Sequence, residues 1–276
     1  MTRTALVLGG GGITGIAWEL GILKGLADSG VDLSGADLVI GTSAGSVVGA
    51  QVTSERSLDE LYESQLRPPD DEIGASLSRT TLLRMLLPMV LPGSPHRKRA
   101  RIGRAALRAH PPGGTERIEV IRSRIGIGDW PAGDLRVTAV HAETGDFVAF
   151  DKSSGVDLLH AVAASCAVPL VWPAVTINGS HYVDGGMRST ANADLAAGAD
   201  AVVVIAPLPR SFSKATSISA QLARVAATRT AVVTPDQQAL VDIGKNVLDP
   251  RKRADAARAG LRQADDVLDE VREAWL

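Results

Sequence analysis

The sequence predicts a three-layer α/β/α domain, a mostly parallel central sheet with helices on both faces. Three observations carry this. Short apolar runs of strand length recur between longer helical patterns. Two of these runs, Thr4–Leu8 and residues 38–40, pass through glycine-rich turns straight into helix-like segments, as strands of parallel sheets do. The 276 residues are 45% hydrophobic but only 3% aromatic, so the core is built from Ala, Val, Leu and Ile, with glycines permitting close backbone approach.

In chain order, Thr4–Leu8 leads into Gly9-Gly10-Gly11-Gly12-Ile13-Thr14-Gly15 and a helix with apolar Ile16, Leu20, Leu23 and Leu26, closed by Asp28-Ser29-Gly30. The second strand, 38–40, runs into Gly41-Thr42-Ser43-Ala44-Gly45 and a helix of small and β-branched residues. Residues 55–66 read as an amphipathic surface helix started by Ser54, and Arg67-Pro68-Pro69-Asp70-Asp71 breaks the chain. Residues 82–91 are apolar on nearly every face and too short to span a bilayer. They read as a buried helix kinked by Pro88, with a lid or acyl-chain wall as the functional alternative. His96 through Arg108 carries six basic residues and no acid.

Residues 116–124 are helical, and 135–140 and 146–150 are strands around a Glu143-Thr144-Gly145 turn. An Ala-rich helix, 158–164, ends at Ser165-Cys166-Ala167-Val168-Pro169. Val175–Ile177 and 181–183 form a hairpin on Asn178-Gly179, and Ala201–Ile205 is another buried strand. From Ser213 onward the pattern reads as helical. Residues 1–210 therefore form the main domain, with 68–115 a variable lid- or cap-like insertion, and 211–276 are helices packed on the same domain.

Strand, G-x-S-x-G and helix in succession form a nucleophile elbow. Its strained turn leaves no room for side chains at Gly41 and Gly45, and it lifts the Ser43 hydroxyl out at a helix N-terminus, where partial positive charge favours an oxyanion. Read alone, the pentapeptide is equally a plain glycine-rich turn. Gly10-x-Gly12-x-x-Gly15 is formally a G-x-G-x-x-G after a strand, with Asp32 and Asp37 downstream, which offers a dinucleotide-binding alternative. Two features oppose it. Four consecutive glycines suit a loop presenting several bare N–H groups to concentrated negative charge. The second strand also ends in G-x-S-x-G instead of a ribose-binding acid.

Together, LVLGGGGITGIAWELGILKGL and DLVIGTSAGSVVGA resemble the patatin-like phospholipase family. That family's third motif, Asp-Gly-Gly or Asp-Gly-Ala, is matched by Asp184-Gly185-Gly186, and the resemblance spans roughly residues 4–210. It implies a patatin-like catalytic domain that acts on a lipid or acyl ester without a cofactor. It implies Ser43 as nucleophile and Asp184 as the base of a Ser–Asp dyad. Gly10, Gly11 and Gly12, with Ala44, form the implied oxyanion hole, and Gly15, Gly41, Gly45, Gly185 and Gly186 are the remaining motif positions. Ser165 to Pro169 resembles the family's small-residue segment before proline. There is one departure: Thr14 stands where the family often has Arg or Lys before the last glycine of the loop.

A serine hydroxyl is a poor nucleophile until a base takes its proton. An aspartate with an ordinary pKa of about 3.9 is a weak base, and apolar burial strengthens it. The competing scheme is a Ser-His-Asp triad, as in a soluble carboxylesterase or thioesterase. Of His96, His110, His141, His160 and His181, none follows Asp184 and only His181 lies near a motif. A lipid-binding protein without activity is the non-enzymatic alternative. No H-E-x-x-H or clustered Cys/His spacing exists, so no metal is expected.

Asp194 and Asp200 read as helix caps, Thr42 and Ser46 as packing or hydrogen-bonding residues, and Cys166 as an inert buried thiol. A net charge of −2 and a basic run without interleaved aromatics argue against nucleic acid. That run, beside the apolar 82–91, predicts a transient contact with anionic lipid surfaces through 82–108. The single cysteine excludes an intrachain disulfide. The apolar start is too short for a signal peptide, and no apolar run reaches 18 residues. The expectation is a cytoplasmic protein, at most peripheral at a membrane.

Overall fold

The structure, a computed structural model, describes residues 2–68, 74–75, 90–109, 111, 114–126, 128–211 and 213–276. Among them, one sheet holds β1 (Thr4–Leu8), β2 (Leu38–Gly41), β3 (Asp134–His141), β4 (Phe147–Phe150), β5 (Val175–Ile177), β6 (Ser180–Asp184), β7 (Ala201–Ile205) and β8 (Arg229–Val233). The helices are α1 (Gly12–Asp28), α2 (Ala44–Val52), α3 (Leu58–Leu66), α4 (Pro95–Ala109), α5 (Gly114–Ile125), α6 (Leu158–Ser165), α7 (Ile218–Val225), α8 (Gln237–Ile243) and α9 (Arg253–Trp275). The expected α/β/α layering is observed.

Five strands run parallel in the order β3-β2-β1-β7-β8. Side chains alternate across the sheet. Leu6, Leu8, Val39, Val203 and Ile205 enter the core under α1, α2 and α9. Ala5, Val7, Leu38, Ile40, Val202 and Val204 enter the opposite core, closed by Ala191, Ala193, Ala196, Ile218 and Val225. Burial on both faces explains why these strands read as unbroken apolar runs.

The left half of the sheet sets up the site. At Val137, β3 has Gly41 of β2 on one edge and Phe150 of β4 on the other. At Ala139 and Val140 its partners are β4 and, antiparallel, Asp184 and Val183 of β6. With β4 occupying one edge throughout, β2 and β6 must share the other. They approach along it from opposite ends, and their C-termini meet across Thr138.

α9 lies directly on α1. A Cβ on Gly21 would stand 2.2 Å from the Ala257 carbonyl oxygen, and one on Gly260 would stand 2.2 Å from that of Trp18. Trp18 Nε1 donates to Gln263 Oε1 at 3.2 Å, and Gln263 Nε2 donates to the Thr234 carbonyl at 2.7 Å, which ties both helices to the chain after β8. α4 is equally close to the sheet: a Cβ on Gly103 would stand 2.0 Å from the Ala142 carbonyl oxygen.

Several local expectations are corrected. Arg229–Val233 is a strand within the segment read as helical; Thr230, Val232 and Val233 are β-branched, and β7 offers a free parallel edge. The helix in 55–66 begins at Leu58, capped by Ser57 in a reciprocal capping box with Glu60, not by Ser54. Asp200 caps no helix; its carboxylate accepts the Arg3 N–H at 2.8 Å. Asp194 accepts from Arg188 and Gln221 side chains. Residues 82–89 of the apolar segment, and His110, lie outside the described residues; Val90 and Leu91 are exposed. No helix among the described residues is long and apolar enough to cross a membrane.

The α1–α9 contact yields a test in which helix propensity and packing oppose each other. Gly→Ala in an open helix stabilises by up to about 1 kcal/mol. Gly21→Ala is expected instead to destabilise by about 1–3 kcal/mol through overpacking, measured by urea denaturation.

Candidate active site

The elbow at the end of β2 is held in a conformation only a fully determined turn tolerates. Ser43 has φ 53° and ψ −114°, a strain worth about 1–3 kcal/mol. Its glycines are obligatory by contact: a Cβ on Gly45 would stand 2.1 Å from the Leu8 carbonyl oxygen, and one on Gly41 would stand 2.5 Å from Ser46 Cα. Thr42 N–H donates to Leu8 O (3.0 Å) and Gly45 N–H to Gly9 O (2.9 Å), so the elbow is pinned to β1 and the glycine loop. The end of α6 and the first turn of α2 supply the rest. Ser43 N–H donates to Ser165 Oγ at 2.8 Å, and its carbonyl accepts from Ser46 Oγ at 2.6 Å and from Cys166 Sγ at 3.3 Å. Cys166 is buried and its thiol pushed up to about 11, chiefly by burial.

Asp184 ends β6, where β6 meets β2. Its N–H donates to the Ala167 carbonyl at 3.0 Å, and its Oδ1 accepts the Gly186 N–H at 2.7 Å. A Cβ on Gly185 would stand 2.3 Å from Thr138 Oγ1. Burial pushes the Asp184 carboxyl up to about 6; hydrogen bonding with the Ser43 hydroxyl and the Gly186 N–H, and the charge of Arg117, act the other way. Beneath elbow and acid lies a buried polar network. Thr42 and Thr138 hydroxyls are 2.9 Å apart, and Asn192 Nδ2 donates to Thr42 Oγ1 and to the Ser189 carbonyl, both at 3.0 Å.

The glycine loop runs past Ser43, but its members differ. Gly10 N–H donates to the Thr190 carbonyl at 2.7 Å. This corrects the expectation that Gly10 is an oxyanion donor, since its N–H is already committed. Gly11 and Gly12, at the start of α1, and Ala44, at the start of α2, donate to no described residue. Gly12 adopts φ +63°, and a Cβ there would strike the Val247 carbonyl oxygen at 2.6 Å. That same carbonyl accepts from Thr14 N–H (3.1 Å) and Thr14 Oγ1 (3.4 Å). Thr14 is fully buried and held against the loop from α8 to α9. Gly15 packs against Pro207. Glu19 of α1 is wholly buried, and burial holds its carboxyl well above the usual range.

Ser43 opens on a cavity of about 20 Å³, lined also by Gly12, Ala44, Arg117, Cys166, Trp172 and Leu248. That is room for about one water molecule. Two cavities of about 310 Å³ adjoin it. One shares Arg117 and Trp172 with it and is walled mainly by Ile118, Ala163, Ala167, Pro173 and Val175. The other shares Ile13, Ile16 and Arg124 with it and is polar. The Arg117 guanidinium lies 4.5 Å from the Trp172 ring centroid, which brings positive charge to the cleft from α5. The described histidines pair elsewhere: His96 with Asp146, His141 and His181 with Glu143, His160 with Asp157. None of them lines the cavity at Ser43.

Comparison with known proteins bears on the family and the fold. The family model described as "Patatin-like phospholipase" matches residues 6–197. Among solved structures, VipD from Legionella pneumophila is similar in fold, with a TM-score of 0.50 at 12% identity over 97% of this chain and 67% of that one. The type III effector protein ExoU matches at a TM-score of 0.43 and 16% identity, over 100% of this chain and 54% of that one. A search of curated proteins returns no match.

Ser165, Thr138 and Asn192 were not singled out by sequence reasoning. The nearest signal is the Ser165-to-Pro169 segment, whose small residues let it reach the elbow. Ser165→Ala leaves the buried Ser43 N–H without its acceptor, so it is expected to destabilise by about 1–3 kcal/mol in denaturant titration. Ser219→Ala, at an exposed serine, is the control and stays within about 0.5 kcal/mol.

Proposed function

Because the chain belongs to the patatin-like phospholipase family, whose members are typically lipid acyl hydrolases, we propose that it is a serine-dependent acyl ester hydrolase working through a Ser43–Asp184 dyad. The observation that carries this reading is that Ser43 and Asp184, both buried, meet in a side-chain hydrogen bond, with the Asp184 carboxyl raised to about 6. An aspartate at that value is roughly a hundredfold more basic than an ordinary one.

In the proposed cycle the Ser43 hydroxyl attacks the ester carbonyl and Asp184 accepts its proton. The N–H groups of Gly11, Gly12 and Ala44 face the oxyanion, aided by the α1 and α2 N-termini. Asp184 returns the proton to the leaving alcohol. Water then repeats the sequence on the acyl-serine, releasing the acid and restoring both groups. The apolar cavity beside Trp172 takes the acyl chain. Lipid surfaces are met through α4, whose Arg97, Lys98, Arg101, Arg104 and Arg108 follow the exposed Val90 and Leu91.

A p-nitrophenyl acyl ester series tests the dyad. Ser43→Ala and Asp184→Asn are expected to lose at least about a thousandfold in kcat/KM. His181→Ala, which cuts only the Glu143 pair, remains active. Activity surviving Ser43→Ala would discard the mechanism. The pH profile has a definite sign. The base must be ionised, and its folded value is raised, so kcat/KM is level above pH 6 and falls about tenfold per unit below about 6. An acid limb near pH 4 would contradict the buried base.

Membrane contact has its own measurement. Co-sedimentation is expected with anionic and not with neutral vesicles, and is weakened by salt. Equal binding to both vesicle types would remove α4 from the scheme.

A further inference from the structure

The polar cavity beside the cleft is walled by arginines on four separate segments: Arg56 before α3, Arg67 after it, Arg124 near the end of α5 and Arg253 at the start of α9. The other polar lining residues are Gln51, Ser64, Gln65 and Ser123, and no carboxylate lines it among the described residues. Arg253 is occupied with structure, donating to the carbonyls of Ser64, Gln65 and Arg67 at the end of α3. Arg56 and Arg67 make no ion pair with a described residue, and the Arg56 guanidinium lies against Gly126. Arginines gathered in a concave site attract anions, and their planar forks suit phosphate.

A second observation falls on the same wall. Gln51 is buried, its Nε2 donates to the Arg124 carbonyl at 2.6 Å, and its Oε1 has no hydrogen-bond partner. That oxygen is itself closed off from the cavity, so Gln51 serves this wall by holding the Arg124 backbone. Gln51 also fixes the spacing. It lies on α2, the helix that begins at the elbow, and helical rise places it about 10 Å beyond Ala44. Ile13, Ile16 and Arg124 line both this cavity and the one at Ser43, so the two are neighbours. The volume of the polar cavity equals that of the cavity beside Trp172, but its arginine-rich lining suits a polar group and not a second acyl chain.

We propose that Arg56 and Arg67, with Arg124, form a subsite for a phosphate-bearing, net-anionic group of the substrate. The subsite makes the enzyme selective against zwitterionic esters, because an ammonium placed there meets guanidinium groups. This inference rests on the hydrolase reading above and adds the substrate class. Two sources share the chemistry, a phospholipid headgroup and a soluble phosphate-bearing acyl thioester.

The experiment uses short-chain substrates below their micelle concentration, so that surface attraction by α4 does not enter. Dihexanoyl phosphatidylglycerol, dihexanoyl phosphatidylcholine and hexanoyl-coenzyme A are compared on wild type, Arg56→Gln/Arg67→Gln and Arg56→Lys/Arg67→Lys. Thermal melts verify folding, and the exposed Arg67→Gln alone replaces the double variant if that does not fold. Phosphatidylglycerol is expected to exceed phosphatidylcholine at least tenfold in kcat/KM. The Gln variants collapse this ratio toward one, and the Lys variant keeps most of it. Turnover of the coenzyme A ester above the glycerolipid assigns the subsite to a soluble substrate. A ratio near one in wild type, or one unchanged in the Gln variants, overturns the subsite while leaving p-nitrophenyl ester hydrolysis intact.

If wild type hydrolyses no ester at all, the hydrolase reading fails and binding decides the subsite. Ser43→Ala protein titrated calorimetrically with the two dihexanoyl lipids is expected to bind phosphatidylglycerol at least tenfold tighter, a difference lost with Arg56→Gln/Arg67→Gln. Equal affinities overturn the subsite.

Discussion

One edge of β3 pairs with two strands, and the site depends on that arrangement. β2 reaches it in parallel and stops at Gly41, opposite Val137; β6 reaches it antiparallel and stops at Asp184, opposite Ala139. Two strand ends that are far apart in sequence are thereby brought to positions separated by a single residue of β3. The residue between them is Thr138, whose hydroxyl touches both sides: it lies 3.3 Å from the Gly41 carbonyl and 2.9 Å from Thr42 Oγ1, and it bars any side chain at Gly185. A one-residue slip of either strand would turn its terminal residue to the opposite face. Strand register thus positions Ser43 against Asp184.

The elbow stays strained because its polar groups have no better alternative. Releasing Ser43 from φ 53° would break the bonds to Ser165, Ser46 and Cys166 and the coupling of Gly45 to Gly9. Each buried group left unpaired costs about 1–3 kcal/mol, against a strain of about the same size. The surrounding contacts therefore outweigh it. Asn192 performs the same service one layer down, and it is itself left-handed, at φ 56°. Its amide joins Thr42 to the chain that follows Asp184.

The parts of this design that were legible in the sequence are those with local causes. Ser43 was readable because strand, turn and helix follow one another within fifteen residues, and Asp184 because a hairpin signal precedes a glycine pair. Gly10 was misjudged because what decides its role is a carbonyl at Thr190, which no local pattern reports. Ser165 and Asn192 act on partners 122 and 150 residues away in sequence. β8 was missed because five residues of β-branched pattern sit between helices and gain strand character only from the open edge of β7. Thr14 was visible as a departure, but its consequence needed the Val247 loop in place.

Charge near Ser43 is supplied by α5 instead of the glycine loop. Arg117 and Arg124 both line the small cavity, and Arg117 is among the groups that lower Asp184. Its effect does not outweigh burial, so the carboxyl stays at about 6. That value and the tightness of the cleft have the same cause. An ester does not fit in about 20 Å³, so the proposed hydrolase requires that lining side chains give way for substrate to enter. If water entered with it, desolvation would be relieved, and Asp184 would fall back toward an ordinary aspartate and a weaker base. Full basicity then requires that the incoming acyl group replace the displaced side chains and keep the carboxylate dry. In the proposed cycle, chain packing beside Trp172 and proton acceptance at Asp184 are then one event, and a substrate too short to seal the cleft is expected to lose rate at the chemical step as well as affinity.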